Sequence, residues 1–361
     1  MKRHILSIIF LIGCMLSTTA QESPLRLAVA GVTHGHLGEV AGRLDRGDFQ
    51  VVGVFEKNDA YRNSNILTGK LDGALFYDNL EKMLEETKPE AVVAYGSIYD
   101  HLKVVEACAV RGIDVMVEKP LATTYKDALK IKKLSEKYGI KVLTNYETTW
   151  YSSNWHAYDL VQDGAVGDLV RMNIHDGHEG PREIRCSEEF LEWLTDPVLN
   201  GGGAVTDFGC YGANIATWFM NGEKPLSVYA VLKQHKPETY PLVDDDATII
   251  VEYPNMTVQI MASWCWPTGR KDMYIYGHDG YIYQKNKQEM DTYIDGKFRR
   301  AFKAPRLEAP YDDSFRLLRA VVRDEVELKP YDPNSLENNI MVVRILEAAK
   351  KSSSKGKAVR F

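Results

Sequence analysis

Apolar residues fall in two different rhythms along the chain. In the first half, short runs that are apolar almost throughout recur at residues 26–30, 50–55, 91–95, 114–117 and 141–144. Between them lie stretches with helical spacing, at 37–44, 80–86, 101–111 and 125–138. Apolar strands separated by helix-length segments predict βαβ units and a parallel sheet covered on both faces. After about Tyr146 the rhythm changes. Strand patterns follow one another at 226–232, 247–253, 257–264, 273–276 and 281–283, several of them alternating polar with apolar residues. That alternation marks a sheet with one wet face. Two helical patterns close the chain, at 313–323 and 335–351. The expected fold class is therefore α/β plus α+β. The division is 24–146 for a parallel-sheet domain, 147–325 for a second domain with a large, mostly antiparallel open sheet, and 326–361 for a helical C-terminal segment.

The first twenty residues read as an address. Lys2, Arg3 and His4 head an apolar run, 5–16, that is short for a bilayer span, and small residues end at Ala20. This predicts Sec-type export with cleavage after Ala20 and a periplasmic location. A rival cut before Cys14 would make a lipoprotein. No later stretch is apolar enough for a spanning helix. Processing after Ala20 takes the net charge from −6 to −8 by removing Lys2 and Arg3. No basic run stands out, so nucleic acid is not an expected partner. The five cysteines, at 14, 108, 186, 210 and 265, include no C-x-x-C pair, which leaves zinc-ribbon and redox readings without support.

The first strand runs into Gly31-Val32-Thr33-His34-Gly35-His36 and then a helix. A strand, a tight glycine turn and a helix start is where a dinucleotide pyrophosphate binds. The G-x-G-x-x-G pattern is damaged, however. Thr33 takes the second glycine's place and His36 the third, so the Thr33 hydroxyl, aided by His34, would have to replace a close backbone approach. Gly35 returns some freedom one residue early. The second strand ends at Glu56, placed for a ribose 2′-hydroxyl, which favours NAD over NADP, although Lys57 and Arg62 blur that preference.

Two motifs carry the chemistry. The strand at 114–117 ends in Glu118-Lys119-Pro120, which puts Lys119 at the mouth of the cleft where open α/β sheets bind ligands. Residues 201–214 read GGGAVTDFGCYGAN. Here Asp207 is expected to cap a helix, with Asp207, Tyr211 and Asn214 at i, i+4 and i+7 on one face, reaching one substrate.

With these motifs in order, the mature chain resembles the Gfo/Idh/MocA oxidoreductase family. The resemblance continues through Tyr276-Gly277-His278-Asp279-Gly280 to Leu336-Glu337-Asn338-Asn339. It implies an N-terminal Rossmann domain and a C-terminal open-sheet domain supporting a homodimer or homotetramer. Lys119 matches the family's catalytic-site lysine, and Asp207 the motif aspartate that orients the proton-transfer group. Many members carry His and Asp where this chain has Tyr211 and Asn214, which resembles the tyrosine branch that includes glucose–fructose oxidoreductase. The cofactor set on this reading is Gly31, Thr33, His34, Gly35, His36, Glu56, Ser97, His101 and Glu118. Residues 147–150 depart from the family's usual Asn-x-Arg-Phe.

Oxidising a secondary alcohol needs a hydride acceptor and a base. A tyrosine titrates near 10, and a nearby ammonium lowers that value. The expected catalytic set is Tyr211 as acid/base, Lys119 as its electrostatic partner and Asp207 as orienter. His175 and His178 form a His-x-x-His pair read as substrate-binding rather than metal-binding, and no metal is expected. Asn214 and Trp150 complete the expected substrate set. Free dinucleotide is scarce outside the cytoplasm, so the expected function is hydride transfer between a sugar or glycoside and tightly bound NAD(H). The alternatives are glycoside cleavage through transient oxidation and a catalytically silent sugar-binding protein on the same fold.

Overall fold

A computed structural model describes residues 23–361; the export signal and Cys14 lie outside the described residues. Six strands form the first sheet: β1 (Leu25–Ala30), β2 (Phe49–Phe55), β3 (Phe76–Tyr77), β4 (Ala91–Ala94), β5 (Asp114–Glu118) and β6 (Val142–Asn145). Their spatial order is 3-2-1-4-5-6 and every pairing is parallel. The order reverses between β1 and β4, which opens a crevice at their carboxyl ends. The connecting helices are α1 (Leu37–Ala41), α2 (Asp59–Asn63), α3 (Leu80–Thr87), α4 (His101–Ala109) and α5 (Tyr125–Tyr138). α5 shows local signals agreeing with tertiary demand. Thr124 accepts the Asp127 amide at its start, and Gly139 stops it in the left-handed region.

The second domain holds α6 (Ser152–Gln162), α7 (Glu188–Leu194), α8 (Ala204–Asp207) and α9 (Gly209–Phe219). Its sheet comprises β7 (Leu169–Gly177), β8 (Ser227–Lys233), β9 (Asp246–Glu252), β10 (Thr257–Ser263), β11 (Arg270–Gly277), β12 (Tyr281–Gln284), β13 (Glu289–Ile294), β14 (Lys297–Lys303) and β15 (Val359–Arg360). The order is 14-13-12-11-7-10-9-8-15, antiparallel except where β10 meets β7. The expected open, mostly antiparallel sheet is therefore present. Its centre, β7, was not foreseen. Arg171, Asn173 and His175 alternate there with Met172, Ile174 and Asp176, which dilutes the apolar signal of a fully central strand. No described helix is long and apolar enough to cross a membrane.

The closing segments cross the domain division expected from sequence. Helix α10 (Ser314–Val322), assigned to the second domain, packs on the first sheet. Phe315, Leu317, Leu318 and Val321 join Leu25, Leu27 and Phe49 in one core. Helix α11 (Leu336–Lys355) lies on the second sheet through Val342, Ile345 and Leu346, and its Val343 enters the other Rossmann core. The two domains are thus stapled by the chain's own end. Replacing Phe315 by Ala should cost about 3–5 kcal/mol, read as a lower midpoint in thermal or denaturant unfolding. An unchanged midpoint would mean that α10 does not depend on this packing.

Candidate active site

β1 leads into Gly31, whose φ is +88°. A Cβ there would lie 2.4 Å from the Gly96 backbone nitrogen, so only glycine lets the β1 and β4 ends approach this closely. At their carboxyl ends lies a cavity of about 490 Å³, lined by Gly31, Thr33, Glu56, Ser97, His101 and Trp193 among others. Glu56 accepts the amides of Val32 (3.3 Å) and Asn58 (2.9 Å), which holds its carboxylate at the β2 end. His101 is buried. Its Nδ1 donates to the Leu121 carbonyl (3.2 Å) and its Nε2 has no partner. Burial lowers its pKa to about 4. A cavity at the switch point, an acid at the β2 end and an unsatisfied ring nitrogen on its wall fit a nicotinamide dinucleotide.

The loop itself differs from expectation. The amides of Thr33 and His34 both donate to the Tyr95 carbonyl (3.1 and 2.9 Å), so they serve the fold rather than a phosphate. His34, Gly35 and His36 line a second cavity, while Glu118 is sealed beneath them and lines neither.

That second cavity, about 770 Å³, lies between the domains. Lys119, Asp207, Tyr211 and His178 all line it, together with Lys271 and Glu147. Lys119 reaches across the seam from the end of β5. Its Nζ donates to the Asp207 carboxylate and, at 2.9 Å, to the Asp207 carbonyl. Trp264 Nε1 donates to the other carboxylate oxygen (2.9 Å). Burial pushes the Asp207 carboxyl up, but Lys119 and Trp264 override it and hold the group below its ordinary range. Burial likewise pulls Lys119 down, and Asp207 reverses that, so the ammonium is held above its usual value. His178 Nδ1 accepts the Gly180 amide (2.9 Å), which leaves Nε2 as the donor of the neutral ring.

Several expected roles are corrected. Asp207 is not an N-cap. It ends α8, whose start is held by Asp244, accepting the amides of Gly203 (2.9 Å) and Val205 (2.7 Å). This frees the Asp207 carboxylate for Lys119. Asn214 does not reach the cavity. It is buried and donates to the Pro333 carbonyl (2.8 Å) and to Asn338 (3.2 Å), tying α9 to α11. Trp150 lines neither cavity and donates to Asn145 (3.2 Å). His175 pairs with Asp272 (3.3 Å) beside it on β11, apart from His178's place in the cavity wall. Nor does Lys119 depress the Tyr211 phenol. Burial, with Cys210, Glu147 and Asp207 nearby, raises it well above 10. The Lys119 ammonium lies over the ring face (5.1 Å to the centroid) and is already paired with a carboxylate.

Residues not foreseen complete the wall. Lys271 sits 4.4 Å from the Tyr211 centroid and is bonded to Glu147, which also accepts the Tyr151 hydroxyl (2.8 Å). Glu147 begins the stretch that departs from the family pattern, and that departure was the available signal. Nothing local marked Lys271. Trp193 of α7 stacks on His34 (5.6 Å between centroids), and Glu192 accepts the Tyr61 hydroxyl (2.5 Å), so α7 roofs the glycine loop.

A parallel six-stranded sheet with a switch-point cavity, joined to a lysine–aspartate–tyrosine pocket on an open-sheet domain, defines a two-domain nicotinamide-dependent oxidoreductase. Residues 25–146 match the NAD-binding Rossmann-fold domain of the GFO/IDH/MocA oxidoreductases, and residues 155–283 match the GFO/IDH/MocA C-terminal domain. The chain belongs to this family. Trans-1,2-dihydrobenzene-1,2-diol dehydrogenase of Xenopus tropicalis is 26% identical over 242 residues, 66% of this chain and 68% of the relative. Across the enzymes of that name that it matches, the chain spans 58–68% of their length. Among solved structures, an aldose–aldose oxidoreductase from Caulobacter crescentus, complexed with glycerol, superposes with a TM-score of 0.76 at 19% identity, covering 94% of this chain and 100% of that one. An inositol dehydrogenase homologue from Azotobacter vinelandii, complexed with NAD+, gives 0.77 at 16% identity, covering 94% and 98%. At these identities the likeness is one of fold.

Two outcomes follow from the placements. Because His101 stays neutral when folded, the unfolded chain binds its proton first as pH falls through about 6.5. Stability should therefore fall by about 1.4 kcal/mol per pH unit from 6.5 down to its folded value, through this one group. His101→Asn should flatten that part of the unfolding–pH profile, and an unchanged slope would contradict the assignment. Asn214→Ala should cost about 1–3 kcal/mol of stability, as expected for unmade buried hydrogen bonds, and leave the substrate KM unchanged. A raised KM in a folded variant would restore Asn214 to the substrate site.

Proposed function

We propose that the protein is an exported oxidoreductase that moves a hydride between a secondary alcohol of a sugar or glycoside and a tightly retained NAD(H). The observation that carries this reading is the convergence of Lys119, Asp207, Tyr211 and His178 on one cavity beside the dinucleotide crevice. The relatives named for a cyclic diol and for aldoses support a polyhydroxylated substrate. The cavity wall joins apolar Phe190 and Phe208 to a polar side, which suits a sugar ring.

A bound nicotinamide supplies the hydride acceptor or donor. The protein manages the proton. Tyr211 is protonated at neutral pH, so it donates to the carbonyl oxygen when a ketone is reduced. In the oxidative direction it must take that proton back as a phenolate, with the Lys271 ammonium, 4.4 Å from its ring centroid, as the nearest cation to that charge. Lys119 stays charged, and its contact with Asp207 fixes where its remaining hydrogens point. His178 offers its Nε2 hydrogen to a second substrate hydroxyl.

The export address at residues 1–20 supports a location outside the cytoplasm, and α7 roofing the loop supports retention of the cofactor. Tyr229, Val231 and Ile250, exposed on β8 and β9, support assembly as a homodimer or homotetramer through the open sheet. A silent sugar-binding protein is the second reading, favoured by the inward-turned amides of Thr33 and His34.

Formation of keto-sugar from a panel of sugars and glycosides, with and without an added electron acceptor, tests the reading. Tyr211→Phe should lower turnover about 100- to 10,000-fold with dinucleotide binding intact. Unchanged turnover would remove Tyr211 from the mechanism, and no turnover of any sugar by the unaltered protein would favour the silent reading.

A further inference from the structure

The two histidines of the 31–36 loop line the wall of the substrate cavity and converge on Glu118. His36 Nδ1 lies 3.0 Å from Glu118 Oε2, and His34 Nε2 lies 3.8 Å from the same oxygen. The ring centroids are 4.7 Å apart. One ligand atom from each residue lies within 4.8 Å of the other two, the one such trio of His, Cys, Asp and Glu among the described residues. We propose that His34, His36 and Glu118 bind a divalent first-row transition metal ion, of which zinc is the reference case, at the edge of the substrate cavity.

An ion pair accounts for only half of this arrangement. His36 is within hydrogen-bond reach of the carboxylate. His34 is not, because 3.8 Å exceeds a hydrogen bond, and Glu118 already has its partner. A doubly charged ion would engage both rings and the carboxylate together. Donors about 2.1 Å from a tetrahedral ion stand about 3.4 Å apart; the two histidine–carboxylate separations of 3.0 and 3.8 Å fall on either side of that, and the whole trio, within 4.8 Å, has to draw in slightly around the ion.

Two histidines and one carboxylate form a ligand set for zinc and neighbouring ions, and three protein donors leave a position open. The support around the trio suits the same role. Asn145 Nδ2 donates to Glu118 Oε1 (2.9 Å), which fixes the carboxylate and leaves Oε2 to the histidines. Trp193 and Phe190 hold the His34 ring at 5.6 and 5.1 Å between centroids. Glu118 and His34 are buried, 1% and 5% exposed, while the His36 side chain is 30% exposed toward the cavity. One bond must change on binding. The His36 amide now donates to His34 Nδ1 (3.1 Å), and coordination through Nε2 moves the ring proton to Nδ1, so that amide has to turn away.

His34 and His36 share the cavity with Lys119 and Tyr211. The open position is therefore available to a substrate oxygen, which the ion would polarise and orient without changing oxidation state. This also gives one departure from G-x-G-x-x-G a purpose, since His36 stands in the third glycine's place.

The test uses the full protein, stripped with a chelator and equilibrated with zinc or cobalt before excess ion is removed. The expected result is one ion per chain by elemental analysis, with the intense visible band of four- or five-coordinate cobalt. His36→Ala and Glu118→Gln should abolish retention. Asn145→Ala should weaken it about 10- to 100-fold, and His175→Ala, outside the trio, should bind as the unaltered protein does. Failure of the unaltered protein to retain an ion, a faint six-coordinate cobalt spectrum, or undiminished retention by folded His36→Ala would each overturn the proposal. No readout involves substrate, so the result is independent of the dehydrogenase reading.

Discussion

Lys119 and Asp207 face each other across the seam between the two domains, each side chain 8% exposed. Every other feature of the site is placed relative to that contact. Taking both charges out of water costs several kcal/mol each, and the cost is recovered only if the geometry is good and the remaining hydrogen-bonding capacity is met. Here the Asp207 carbonyl and Trp264 meet it. Removing either partner leaves a buried uncompensated charge, worth about 3–5 kcal/mol. The same pairing explains why Lys119 does not act on the Tyr211 phenol as a free ammonium would. Its charge is spent locally, and burial decides the tyrosine's titration.

The fold that delivers these two residues is built on ordinary local signals. Lys119 is carried by β5, a strand buried on both faces, and so emerges at the carboxyl edge of the parallel sheet. Asp207 is carried by a single helical turn that owes its start to Asp244, some forty residues away and packed beneath it. The C-terminal helices then lock the arrangement, α10 on the first sheet and α11 across both domains. The position of the site is thus a property of the whole chain rather than of either domain.

Much of this was legible beforehand. Continuous apolar runs marked β1, β2, β4, β5 and β6, because parallel strands buried on both faces admit little else. Lys119, Asp207 and Tyr211 were legible from motifs and meet as expected. Spacing misled where a tertiary partner intervened. Asn214 has the right helical phase for the substrate face, yet Asn338 and the Pro333 carbonyl claim its side chain. Asp207 looks like a cap until Asp244 takes that task. β7 was hidden because Arg171, Asn173, His175 and Asp176 interrupt its apolar residues, and Lys271 because its partners Glu147, Tyr211 and Phe208 are distant in sequence. The two loop histidines were read as cofactor contacts, since nothing in the sequence shows that both turn toward Glu118.

The two cavities share the 31–36 loop as a wall, with Thr33 facing one and His34 and His36 the other. On the proposed function, this wall is where a dinucleotide's reactive ring and a sugar's alcohol must meet, with α7 closing over them. The measurement that tests this most directly is the dinucleotide content of the purified protein, denatured and assayed for NAD(H) and NADP(H) in the supernatant. The account predicts near-stoichiometric NAD(H) without any added cofactor. A protein that arrives empty and binds no added dinucleotide would contradict it.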